Sequence, residues 1–257
     1  MTASITTLEL AAAKTWRAPD EARLGDWLLR AADGFTSRAN SVLAIGDPGL
    51  PLPAAIDQVL DWYQSRDLPA QVAVAYPPHH PDGHPIDAFL AARGWTVRGG
   101  ALVMTAPLAE IAGLLDPDET ARVKVLDEAD DGWLDCYRWH EELPPPVSRQ
   151  VFASAPWQAF GAIRALGATV SIGRVAMADG WAGLTAIRVD PQHRRQGLAR
   201  VMTAALAKTA ASRGADGLYL QVETGNAAAR ALYERMGFTY HHAYHFRLAP
   251  DGGAGQV

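Results

Sequence analysis

The sequence predicts an α/β protein with a mixed α+β sheet, organised as two related halves. Three observations carry this. Stretches with strand-like alternation and stretches with helical spacing follow one another through the chain. A turn containing three arginines and a glycine, residues 194–200, separates a strand-like segment from a long amphipathic one. Residues 89–98 repeat the pattern of residues 232–241, helix then glycine stop then aromatic-led strand, with Gly94 falling on Gly237 at an offset of 143.

In chain order, residues 26–30 and 37–43 alternate like paired strands around the turn dipeptide Asp33-Gly34. Ile56, Val59, Leu60 and Tyr63 mark one face of a helix, and residues 71–76 read as a further strand. His79, His80 and His84 stand in a Pro/Gly-rich stretch; no cysteine or paired carboxylate completes a ligand set there, so a loop and no metal are expected. A helix ends at Gly94 and a strand starts at Trp95. Asp116-Pro117-Asp118 makes residues 108–120 read as a linker between a unit at 1–107 and a second at 121–257.

The second unit opens with a strand at 123–126, a helix around 131–142 and a rigid break at Pro144-Pro145-Pro146. Three strands follow at 160–164, 169–178 and 181–189, the last two joined by the tight turn Ala178-Asp179-Gly180. Pro191 ends the third. Leu198, Val201, Met202, Ala205, Leu206 and Thr209 then recur at helical spacing, with Gly214 as the stop. Residues 217–222 read as a strand, Asn226 as the cap of a helix over 227–236, and Gly237-Phe238 as the entry to a closing hairpin. His241, His242 and His245 fall on that last segment, where packing or substrate contact is expected before metal ligation.

Composition bounds the class. The chain has 257 residues, longer than one ordinary domain, and 49% hydrophobic residues supply ample core. A net charge of −5 gives no global basic field for nucleic acid or an anionic membrane, so neither is an expected partner. Cys136 is the single cysteine, which excludes an internal disulfide and fits a reducing compartment. No signal-like start and no bilayer-length apolar run occur, so a cytoplasmic protein is expected. The duplicated pattern allows either a monomer or a homodimer.

The 194–200 turn has the chemistry of an anion seat. Gly197 lacks a Cβ and Ala199 has only a methyl, so N–H groups from about 195 to 200 can converge on an anion at a helix N-terminus, and Arg194, Arg195 and Arg200 add charge. Arg194-x-x-Gly197-x-Ala199, followed by Asn226-x-x-Ala229-x-x-x-Tyr233-x-x-x-Gly237-Phe238, resembles the GNAT superfamily of acyl-CoA-dependent N-acyltransferases. Residues 27–30 and 38–41 with such a C-terminal unit also look like a bacterial two-domain GNAT family. The resemblance implies tandem GNAT folds, the N-terminal copy degenerate and the C-terminal copy binding acetyl-CoA. The first half has no Arg-x-x-Gly-x-Ala segment and carries Leu90 where the second has Tyr233.

By this resemblance Arg194, Arg195, Gln196, Gly197, Leu198, Ala199 and Arg200 hold the pyrophosphate of coenzyme A. The backbone of Ile187, Arg188 and Val189 pairs with the pantetheine arm, with an N–H near Ile187 facing the thioester carbonyl. Asn226 and Ala229 lie beside the cofactor, and Tyr233 protonates the departing sulfur. The base is less clear in pattern. Some superfamily members carry a glutamate on the strand before the loop, where this chain has Gly183, and others on the next strand, where it has Gln221. Glu223, two residues on and on the same side, or His245, is the candidate relay base. Arg30, Arg38 and Asn40 either satisfy an interface between the halves or reach an acceptor carboxylate, for which the arginine fork is suited. The expected activity is acetyl-CoA-dependent N-acetylation of a primary amine on a small molecule, an amino acid or a protein. Alternatives are N-acetylglutamate synthase-type amino-acid acetylation and a non-catalytic acyl-CoA-binding or partner-binding module.

Overall fold

Eleven strands join edge to edge in one sheet in the computed structural model, which describes residues 3–77, 84–138, 140 and 142–250. His79 and His80 lie outside the described residues. The first half supplies α1 (Ile5–Thr15), β1 (Asp20–Leu24), β2 (Trp27–Ala31), a 3-10 turn (Ser37–Ala39), β3 (Val42–Leu43), α2 (Leu52–Gln64), β4 (Gln71–Tyr76), α3 (Pro85–Ala92) and β5 (Thr96–Ala106). Two short helices follow, α4 (Leu108–Ala112) and α5 (Pro117–Thr120). The second half adds β6 (Lys124–Leu126), α6 (Asp131–Cys136), α7 (Val147–Phe152), β7 (Trp157–Ala165), β8 (Ala168–Ala178), β9 (Trp181–Val189), α8 (Leu198–Ala211), β10 (Gly217–Glu223), α9 (Ala227–Arg235) and β11 (Thr239–Leu248).

The strand order β1-β2-β3-β4-β11-β5-β10-β9-β8-β7-β6 interleaves the halves. β11, the last strand of the second half, lies between β4 and β5 of the first; β5 in turn lies between β11 and β10. Both new neighbours pair antiparallel, β5 with β10 from Ala106↔Leu218 to Ala101↔Glu223, and β11 with β4 from Tyr76↔Ala243 to Gln71↔Leu248. The closing hairpin expected within the second half is therefore absent. Its place is taken by a strand from the first half, because Gly94 and Gly237 both end helices at positive φ and feed equivalent strands to opposite sides of one seam.

Two other expectations change. Residues 37–40 form a 3-10 turn rather than a strand, so β2 and β3 share only the Leu28↔Leu43 rung. Residues 108–120 are not an open linker: Leu108 and Ile111 of α4 are buried against α8 in the main core. α1, β1 and α7 were not anticipated. Ser4 caps α1 by accepting the Thr7 N–H, and Leu8 is 1% exposed.

The two faces of the sheet have different roles. On one, Ala182 and Leu184 of β9 and Leu218, Leu220 and Val222 of β10 bury α8, while Val72 and Val74 of β4 bury α2 and α3. On the other, Tyr219, Val103, Tyr244, Phe246 and Ala73 cover Leu8 of α1, so this one helix crosses strands from both halves. Burying a leucine of this kind contributes roughly 1.5–3 kcal/mol. Beyond α1, Trp16 and Phe35 of the first half interlock with Trp133, Phe152 and Phe160 of the second. Arg174 on β8 ties this junction together: Nε donates to the Phe152 carbonyl and Nη2 to the Thr15 carbonyl, at the ends of α7 and α1, where a cation is favoured.

The exchange predicts that neither half is stable alone. Residues 1–107 and 108–257 expressed separately are expected to lack dispersed amide spectra, and co-expression is expected to restore them. A folded monomeric spectrum from either fragment would refute this.

Candidate active site

β9 and β10 are parallel neighbours that part company. Their pairing runs from Trp181↔Gly217 to Leu184↔Leu220 and ends there, although β9 continues to Val189 and β10 to Glu223. Each stays attached on its outer side, β9 to β8 as far as Val189 and β10 to β5 as far as Glu223. A V-shaped gap therefore opens between them, edged by backbone groups that the ladder no longer uses. The bulge in β9 aims this edge. Gly173 stands opposite two residues, Ala186 and Ile187, and Ala186 takes φ +54°. A non-glycine residue in that region costs about 1–3 kcal/mol and is held only where its surroundings dictate it. Here the Ile187 side chain packs into the main core while Ala186 meets the aromatic junction.

The chain leaves β9 through a 3-10 turn (Pro191–His193), capped by the Asp190 side chain on the Gln192 N–H, and enters α8 at Gly197. Arg195 and Gly197 both take positive φ, +64° and +76°, a backbone path that turns successive N–H groups to one side. Among the described residues no side chain caps α8, so helix geometry leaves the first N–H groups, from Gly197 to Arg200, without internal acceptors. A Cβ built on Gly197 would meet nothing within 4 Å, and Arg194, Arg195, Gln196 and Arg200 are exposed. Leu198 alone of this turn is buried, anchoring it in the core. The result is a positive, uncapped helix start beyond the end of β9.

Across the gap, the Asn226 side chain accepts the Ala229 N–H at 3.0 Å and starts α9. That cap contributes about 1 kcal/mol. Tyr233, two turns on, is 7% exposed and packs edge-on to Phe238 at 5.6 Å. Burial pushes its hydroxyl up to about 12, so it stays protonated at neutral pH.

The strand splay, the glycine-led helix start and the buried tyrosine on the following helix lie within a stretch for which known proteins identify the family. A family model described as "Probable histone acetyltransferase Rv0428c C-terminal" matches residues 2–247. The chain belongs to this family. The probable histone acetyltransferase Rv0428c of Mycobacterium tuberculosis is 34% identical over 264 residues, which cover 99% of this chain and 76% of that protein. A solved GCN5-related N-acetyltransferase from Kribbella flavida has a TM-score of 0.67 at 19% identity and covers 95% of both chains. A tandem GNAT protein from the clavulanic acid biosynthesis pathway has a TM-score of 0.60 at 16% identity, covering 81% of this chain and 73% of its own. The fold is thus the GNAT fold and the protein an N-acyltransferase.

In this Rv0428c-type chain the position expected for a glutamate on β9 has a steric explanation. A Cβ on Gly183 would lie 2.3 Å from the Tyr219 hydroxyl, which fills that space and hydrogen-bonds Thr15 of α1 at 2.9 Å. Gln221, next on the same face, accepts Arg38 Nη1 at 2.8 Å and the Tyr244 hydroxyl at 3.1 Å. Glu223 is exposed at the end of β10, on the Gln221 side.

Three of the sequence-derived acceptor candidates are not brought to the gap. Arg30 is buried with Nε on the Ser41 carbonyl and Nη2 on Ser41 Oγ. Asn40 organises its own loop, accepting the Ala32 and Gly34 N–H groups and donating to the Phe35 and Thr36 carbonyls. His245 faces α3, bonded to Asp87 at 2.7 Å, and Asp87 is held below the usual carboxylate range chiefly by Arg247. Only Arg38 of that set reaches the gap. Sequence reasoning missed Thr185, Tyr219 and Arg174. An arginine inside the otherwise apolar run of residues 172–178 was the available signal for the last.

Among the described residues no group of three or more His, Cys, Asp or Glu could hold a metal ion, and no helix is long and apolar enough to cross a membrane. A cavity of about 650 Å³ opens on the β8 side of β9, lined in part by Cys136, Arg188 and Asp190, outside the gap itself.

Tyr219, Tyr233 and Tyr244 are each pushed up to about 12 by burial. Unfolded tyrosines ionise near 10. Their contribution is fully present below pH 10; between 10 and 12 the unfolded chain releases protons that the folded chain keeps, and stability falls. The urea midpoint is expected to drop between pH 9 and pH 11, and less steeply in Tyr233→Phe. Parallel slopes in the two proteins would contradict the assignment for Tyr233.

Proposed function

We propose that the C-terminal half binds acetyl-CoA in the β9–β10 gap and passes its acetyl group directly to a primary amine. The carrying observation is the end of pairing at Leu184↔Leu220 with the uncapped start of α8 beyond it. The residues present fit the cofactor. The space over Gly197 admits a phosphate against backbone N–H groups, and Arg194, Arg195 and Arg200 supply counter-charge. The free edge of Ile187, Arg188 and Val189 offers ladder positions to the amide groups of pantetheine, with Gln196, Leu198 and Ala199 completing the turn. Asn226 and Ala229 flank the other side.

Bound acetyl-CoA supplies a thioester whose carbonyl carbon exchanges its bond to sulfur for one to the acceptor nitrogen. The acceptor nitrogen must arrive uncharged, and it sheds one proton as the new bond forms. An N–H at the Ala186–Ile187 bulge is suited to stabilise charge on the carbonyl oxygen. The bonding pair leaves on sulfur, and the Tyr233 hydroxyl, protonated at working pH, donates a hydrogen bond or its proton to it. Glu223 is the nearest carboxylate along β10 for a water-relayed removal of the amine proton.

Tyr233→Phe is expected to lower kcat by about 10²–10⁴ while leaving the acetyl-CoA KM near wild type, since the ring still fills its site. Gly197→Ala, forced into a left-handed conformation costing about 1–2 kcal/mol, is expected to raise that KM about tenfold. The tests are calorimetric titration with coenzyme A and thiol release over an amine panel. Tight binding without turnover on any amine would favour the non-catalytic acyl-CoA-binding alternative, and no binding at all would overturn the reading.

Glu223→Gln is expected to shift or flatten the acidic limb of the pH–rate profile. An unchanged profile removes Glu223 from the mechanism.

A further inference from the structure

Arg38 is handed to the gap by the first half. Its Nη1 reaches Gln221, which directly follows the last β10 residue paired with β9; Thr185 holds the matching position on β9, after Leu184. Both side chains project to the face away from α8, because their neighbours Leu184, Leu220 and Val222 are in the α8 core. Trp16 lies under the Arg38 guanidinium at 4.7 Å, and Tyr137 is close enough to feel its charge.

Three groups here have bonding capacity left over. A guanidinium has five N–H donors, and Arg38 makes one hydrogen bond, with no carboxylate paired to it among the described residues. Arg174, wholly buried and 5.5 Å from the same Trp16 ring, has Nη1 without a partner, as has the buried hydroxyl of Thr185. Unpartnered buried polar atoms cost about 1–3 kcal/mol each, and two cations around one indole repel, Arg38 adding to the effect of burial in lowering Arg174. An entering carboxylate would relieve this: it takes parallel N–H bonds from Arg38, offsets the charge, and lies near the Thr185 hydroxyl. The location is half-buried beside Trp16, Phe35 and Tyr137, which suits a small molecule.

The geometry points to an acceptor that carries its own carboxylate, a free α-amino acid held by Arg38 with its amine in the β9–β10 gap; this deepens the acetyltransferase reading and rests on it. Arg38 is then a specificity-determining residue contributed by the half that lacks the cofactor motif.

The experiment titrates the enzyme, with and without coenzyme A, against the twenty protein amino acids and against matched amines lacking the carboxylate, such as lysine beside cadaverine and histidine beside histamine. At least one amino acid is expected to bind tenfold or more tightly than its amine. Arg38→Gln is expected to abolish that ratio, Arg38→Lys to keep part of it, and coenzyme A affinity to hold in both. Equal affinities within every pair, or a ratio that survives Arg38→Gln, overturns the proposal, as does faster turnover of an N-blocked lysine peptide than of any free amino acid. The wild-type pairs decide the matter even if Arg38→Gln fails to fold. Loss of coenzyme A binding in the wild type would instead overturn the parent reading, and this one with it.

Discussion

The antiparallel contact between β5 and β11 is the constraint on which the rest of the architecture depends. It runs from Thr105↔Thr239 to Thr96↔Leu248 and is the seam at which two sets of strands become one sheet. Each of its strands belongs by sequence to one half and pairs outward with the other, β5 with β10 and β11 with β4. β10 thereby gains a complete partner on its β5 side as far as Glu223. Only because that edge is satisfied can the opposite edge of β10 leave β9 after Leu220 without surrendering the strand. A gap that exposes backbone polar groups is tolerable when each of its walls is held from behind.

The same seam accounts for how a half without a cofactor motif can matter to the chemistry. α1 lies across strands of both halves through Leu8, and its last turn brings Thr15 to the Tyr219 hydroxyl and Trp16 to the aromatic junction. Glu9 of α1 bonds His242 Nε2 of β11 at 2.8 Å, and His241 Nε2 reaches the Ala3 carbonyl, fastening the start of the helix to the second half's last strand. With α1 fixed at both ends, Arg38 and Tyr219 have little freedom in where they meet the gap. Gly183 belongs to this arrangement: the tyrosine hydroxyl occupies the volume that any side chain there would need. A glutamate at this position of β9 would have to displace the Tyr219 ring that Thr15 of the first half holds in place.

Much of this was legible in the residues. The second half from Lys124 onward reads well, since its strands alternate, its turns carry Asp179-Gly180 and its helices have strong stops at Gly214 and Gly237. The start of α8 was equally readable, because a positive-φ glycine before a helix is a local feature. What sequence could not reveal is non-local. The exchange of β5 and β11 leaves each strand's own pattern unchanged, as both would be central strands in either pairing. α1 escaped notice because Glu9 and Thr15 interrupt its buried face, which is read only against a sheet drawn from both halves. Arg30, Arg38 and Asn40 look alike as polar residues in one short stretch, yet two are spent on local backbone and one crosses to Gln221.

The charge around the gap bears on how an amine would lose its proton where β9 itself carries no glutamate. Tyr219 and Tyr244 are held protonated by burial and cannot serve as bases near neutrality. A cation nearby, however, disfavours a second cation, and each unit by which an ammonium is lowered corresponds to about 1.4 kcal/mol of repulsion. Arg38 and Arg174 share one indole, and among the described residues no carboxylate is paired to Arg38. If an acceptor carboxylate neutralises the first, the second still stands as an uncompensated buried charge, and the arriving ammonium is pressed to release its proton to water or toward Glu223 at the open end. On the proposed acceptor binding, the same pair of arginines would both hold the carboxylate and disfavour the charged form of the amine, on a half whose β9 carries no glutamate.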